Sequence, residues 1–130
     1  MRPVALLLLA ACAHHAAPRL AGFSTPQATF DTLQRAVADH DIDLYARCFS
    51  EETADREGRV SDLRADPSGW EELAGVLRPP LTLVMDGTAP ADAAIGSRWH
   101  GSVRAPKADG GGVGGLTFVR TELGWVIRTW

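Results

Sequence analysis

The chain has 130 residues, enough for one domain with its own hydrophobic core and too few for two of ordinary size. With 13 basic against 16 acidic residues the formal charge is −3, so no net basicity recommends nucleic acid or anionic headgroups as partners.

Met1-Arg2-Pro3 precedes the apolar run Val4 to Ala11, the layout of a secretory leader. The run is well short of the roughly 18 residues that a permanent transmembrane helix needs, and His14, His15 and Arg19 follow it. It ends in Leu9-Ala10-Ala11-Cys12, which resembles the lipobox of bacterial lipoproteins, an aliphatic residue and two small ones before the cysteine that becomes the mature N-terminus. The resemblance implies acylation of Cys12, attachment to a lipid membrane through it, and cleavage of residues 1–11. Each buried methylene of such a chain contributes about 0.8 kcal/mol, and more than one chain makes a lasting anchor. Ala13, with no aspartate after the cysteine, implies by the same resemblance sorting to the outer membrane, facing the periplasm. Cleavage would leave 119 residues and, with Arg2 gone, a net charge of −4. Cys48 would then have no partner within the chain, so the domain cannot depend on an internal disulfide. Residues 12–24 read as a lipidated N-terminus and tether, and residues 25–130 as the domain. His14-His15 has no neighbouring carboxylate or thiolate and reads as solvated tether.

Thr25-Pro26 supplies an N-cap and a proline at the first helical position, where the missing N–H costs nothing. Phe30, Leu33 and Val37 follow at helical spacing. His40-Asp41 breaks the helix, and Asp41 can cap a second from Ile42 to Phe49, with Ile42, Tyr45 and Phe49 in one stripe. From Ser50 to Asp66 charged residues dominate and only Val60 and Leu63 are clearly apolar, which predicts a solvated helical turn and a loop. Asp66-Pro67 then repeats the cap-plus-proline signal, and Trp70, Leu73 and Leu77 predict a third amphipathic helix ending at Pro79-Pro80.

Beyond the prolines the period becomes alternating, as in an antiparallel sheet. Predicted strands run from Leu81 to Met85, from about Ala94 to Ala105, from Leu116 to Thr121, and from Trp125 to Trp130. Alternation in the second puts Ile95, Trp99 and Val103 on one face and Arg98, His100 and Arg104 on the other. The second set reads as a solvated outer face; with the faces reversed, Arg98 and His100 would line a pocket suited to an anion. Gly110 to Gly115 formally matches a dinucleotide fingerprint, but it lacks the preceding strand and the following helix that hold a pyrophosphate, so it reads as a flexible hairpin loop.

Helices first and sheet second is the order of an α+β domain. More specifically, Thr25 to Phe30, Asp41 to Tyr45, Phe49-Ser50-Glu51-Glu52, and the closing stretch from Leu116 to Arg120 with Gly124 to Ile127 resemble the opening helices and the final hairpin of the nuclear transport factor 2-like superfamily, which includes SnoaL-like and ketosteroid isomerase-like members. The resemblance implies N-terminal helices packed in the hollow of a curved antiparallel sheet, making a cone. It implies a pocket for which Phe30, Leu33, Tyr45, Trp70, Trp99, His100 and Arg98 are the candidate lining residues. Where the isomerases carry an oxyanion-stabilising tyrosine, the matching position holds Leu33, which cannot donate a hydrogen bond, and Tyr45 sits on the other helix. No catalytic set, metal-ligand spacing or cofactor motif emerges. The expectation is a membrane-anchored envelope protein holding a small apolar or amphipathic ligand, or an envelope protein, without catalysis. Two other readings stay open: an isomerase, cyclase or dehydratase using the cone, and a structural module or homodimer joined through its sheet face.

Overall fold

The computed structural model describes residues 21–77, 81–105 and 112–130. The expected leader, Cys12, the expected tether up to residue 20, Pro79-Pro80 and Gly110-Gly111 lie outside the described residues.

After a single 3-10 turn, Ala21–Phe23, helix α1 spans Pro26–Asp39. Thr25 Oγ1 accepts the Ala28 N–H at 3.0 Å, satisfying one donor that the helix itself cannot. Its inner stripe of Phe30, Leu33, Ala36 and Val37 is buried. His40 ends it in the left-handed region with φ of 53°, and the Asp41 N–H turns back to Ala36 O at 2.9 Å, a closure that reverses the chain within one residue. Asp41 Oδ1 accepts the Leu44 N–H at 3.0 Å and starts α2, Ile42–Arg47.

Helix α2 stops two residues before Phe49 because the backbone there is taken by the sheet. Ile127 N–H donates to Cys48 O at 2.7 Å and Ser50 N–H to Ile127 O at 2.8 Å, a parallel bridge centred on Phe49. The charged stretch that follows is more ordered than its composition suggests, for α3 occupies Arg56–Ala65. Val60 and Leu63, one turn apart, are both buried, and this two-residue stripe suffices to dock a helix otherwise faced with charge. Helix α4, Gly69–Leu77, starts later than the cap-plus-proline signal indicates. Asp66 Oδ1 accepts both the N–H and the hydroxyl of Ser68, at 3.0 and 2.7 Å, so it closes a turn instead of capping the helix.

The sheet is an antiparallel meander, β1 (Thr82–Met85), β2 (Arg98–Arg104), β3 (Gly112–Thr121) and β4 (Gly124–Thr129), in that spatial order. Strand β2 begins four residues later than alternation predicts. Gly96, with φ of 90°, turns the chain there, and Ile95, expected on the inner face, is 68% exposed. Strand β3 begins four residues earlier. The glycines taken as loop are partly ladder, with Gly112, Gly114 and Gly115 paired to Arg104, Val103 and Ser102.

Leu83, Val103, Leu116, Phe118, Trp125 and Ile127 turn one face of the sheet onto α1 and its neighbours, and these side chains form one buried cluster with Phe23, Tyr45 and Trp70. Each large apolar side chain so removed from water contributes roughly 1.5–3 kcal/mol. Two contacts lock the layers. Thr29 Oγ1 donates to Trp125 O, and Gly124 (φ 134°) lets the Phe23 carbonyl approach so closely that a Cβ there would overlap it.

Candidate functional site

The seven residues expected to line a pocket fall into three environments. Phe30, Leu33, Tyr45 and Trp70 are at most 4% exposed and fill the space between helices and sheet. Tyr45 meets Trp70 edge-on at 5.6 Å and Phe49 at 5.1 Å, while His40 stacks flat on the outer side of Trp70 at 5.4 Å. Burial raises the Tyr45 hydroxyl above the ordinary phenol range, with the Arg59 charge acting the other way. Trp99 is half-buried on the inner face and donates from Nε1 to Gly87 O at 3.3 Å. Arg98 and His100 alternate to the opposite, exposed face, where His100 Nδ1 lies 3.0 Å from Thr117 Oγ1. The interior pocket is thus replaced by packed side chains, and the strand separates His100 and Arg98 from it. None of the seven lines the two clefts described next.

The larger cleft, of about 590 Å³, opens at the end of the sheet near the β3–β4 turn. One side comes from the end of α2 and the following connection, with Arg47, Phe49 and Glu52, and from Arg56 at the start of α3. The other comes from Ile95-Gly96, from Val119 to Leu123, and from Val126. Phe49, Ile95, Val119, Leu123 and Val126 make its lining largely apolar, while Glu51, Glu52 and Glu122 stand on the rim with Arg47. A smaller cleft, about 170 Å³, is bordered by Val76, Leu77, Leu81, Val103 and Trp130.

The cations of the larger cleft differ in how they are satisfied. Arg56 donates from Nε to Ala46 O at 3.0 Å and from Nη1 to Glu57 at 2.7 Å. Next to the cleft, Arg128 donates from Nη1 to Glu52 O at 2.9 Å and holds its Nε 3.4 Å from the Glu52 carboxylate, at ion-pair distance though without hydrogen-bond geometry. Arg120 has no such neighbour. It is 7% exposed, its Nη1 is buried with no hydrogen-bond partner, and among the described residues it forms no ion pair. Sequence reasoning missed it, although a signal existed: Leu116, Phe118 and Arg120 share the inner phase of β3, and an arginine there breaks an apolar alternation.

Cys48 is buried with its thiol 3.3 Å from Leu44 O, and burial pushes its pKa up to about 12. A thiol held protonated in this way is no nucleophile at neutral pH. Among the described residues no group of three or more metal-ligating side chains converges, and no helix is long and apolar enough to cross a membrane. No family model, curated protein or solved structure matches the chain.

Proposed function

We propose that the chain is a lipid-anchored protein of the bacterial cell envelope, held by acylated Cys12 at the outer membrane, whose domain takes up a small amphipathic molecule without catalysis. The observation that carries the binding part is the cleft of about 590 Å³ with an apolar lining and a few polar groups at its edge. Sites for small molecules have this size and this composition. The anchoring part is supported by Leu9-Ala10-Ala11-Cys12 after its short apolar run. A nuclear transport factor 2-like assignment is supported by the order of elements, helices followed by a four-stranded antiparallel meander packed on them. In this reading the ligand has moved from the cone interior, which Leu33 and its neighbours fill, to the end of the sheet.

Catalysis is disfavoured by the kinds of group the cleft offers. Its carboxylates, Glu51, Glu52 and Glu122, are all water-exposed, whereas a carboxyl acting as acid or base in such a site is normally desolvated. Native mass spectrometry of the full chain, purified from its own envelope fraction, tests both parts together. A mass increment for acyl chains on a protein lacking residues 1–11, with a co-purifying small molecule, is the expected result. A free Cys12 thiol would remove the anchor, and a ligand-free protein would remove the binding role.

A further inference from the structure

Taking the cleft to be a ligand site, as proposed above, we infer that it takes single-chain aliphatic amphiphiles, held by the hydrocarbon body alone with the head left in water. To select a charged or hydrogen-bonding head, a site needs a polar group that is both shielded from water and unengaged. Among the described residues the side chains of the walls offer none. Ser50 Oγ lies 3.0 Å from Thr53 Oγ1, and Thr121 Oγ1 donates to Gly124 O at 3.0 Å. Arg56 is engaged by Ala46 O and Glu57, and Glu52 by Arg128. Arg120 is paired with Trp125, on the phase of the β3–β4 hairpin opposite to Val119 and Val126.

What remains to meet a ligand is apolar. Val119 and Val126 sit opposite each other on one phase of the hairpin, and Ile95 and Leu123 border the same space while 68% and 44% exposed. Covering such side chains is favourable in proportion to the apolar area removed from water, whatever head the covering molecule carries. The body is aliphatic and not flat, because these walls are branched aliphatic side chains. The one aromatic ring of the lining, that of Phe49, is already packed with Tyr45 at 5.1 Å and Trp130 at 6.2 Å. At the rim Arg47, Glu51 and Glu122 are exposed, and over the whole cleft three arginines stand against three glutamates. Charges in water are screened within about 10 Å and act weakly on a head standing among them, and mixed signs cancel most of what is left. A volume of about 590 Å³ suits one small molecule.

The test is calorimetric titration of the full chain held on phosphatidylcholine vesicles, with protein-free vesicles as the baseline. Detergent is left out, since it is itself a single-chain amphiphile. Octan-1-ol, octanoate and octylammonium are expected to bind with affinities within about threefold of one another. Hexan-1-ol, shorter by two methylenes, is expected to bind about tenfold more weakly than octan-1-ol. Ile95→Ser is expected to weaken all three octyl ligands alike, about threefold, and the exposed position keeps the fold intact. A preference of about tenfold or more for one head overturns the indifference to charge and leaves the cleft as a ligand site. Hexan-1-ol bound as tightly as octan-1-ol, or an Ile95→Ser chain that binds like the wild type, overturns the assignment of the hydrocarbon body to these walls. Binding of none of the ligands overturns this inference and the reading of the cleft together.

Discussion

The space between helices and sheet and the cleft at the sheet's end are built from the same kinds of residue, yet only one of them is complete. In the first, Phe30, Leu33, Tyr45, Trp70, Phe118 and Trp125 meet one another, and each buried surface has a protein surface opposite it. In the second, Val119, Val126 and Leu123 border open space. Shape left unmatched marks the place where a molecule from outside can contribute most. The interior that the superfamily resemblance offers as a pocket acts here as the core.

The contrast can be attacked first at its structural half. Phe118→Ala should lower the unfolding free energy by about 3–5 kcal/mol in urea titrations, because Phe118 is fully buried and its neighbours cannot close the void. A loss under about 1 kcal/mol would mean that the interior is looser than its packing. Leu33→Tyr restores the residue type of the isomerase-like position and asks directly whether room exists beside α1. Overpacking should cost about 1–3 kcal/mol, and a neutral result would reveal a cavity.

Cys48 reports on the same interior through pH. Its folded pKa is raised to about 12, so its contribution to stability is complete below the ordinary thiol pKa near 9 and is lost as pH climbs toward 12. Wild-type stability should fall through that window, and Cys48→Ala should flatten part of the fall; Tyr45, also raised by burial, accounts for some of the remainder. An identical slope in the variant would contradict this. The smallest effect belongs to the open region. Ile95→Ala should change stability by no more than about 0.5 kcal/mol, since the residue is already 68% exposed, and a larger loss would show that this edge supports the fold.

Much of the framework is legible in the sequence. Thr25 and Asp41 cap their helices as their residue types require, the stripe of Phe30, Leu33 and Val37 faces the core, and the inward phase of Trp99 and Val103 holds. These are local rules, set by backbone hydrogen bonding and by side-chain period. The failures share a different cause. Helix α3 hides in a charged stretch because two apolar residues suffice once α2 and α4 supply the rest of the contact. Gly112 to Gly115 join a strand because β2 offers a ladder to pair with, a fact about a distant segment. The cleft draws on Arg47, Ile95 and Val126, far apart in the chain, and only the tertiary fold brings them to one place. Arg120 alone left a trace, a charge on an apolar phase.

Whether the buried charge of Arg120 burdens the fold or supports it is measured most directly by urea unfolding of Arg120→Met. Methionine keeps the unbranched stem and removes the uncompensated charge, so the variant should match or exceed the wild type in stability. A variant that loses about 2 kcal/mol or more would show instead that Arg120 holds the packed interior together.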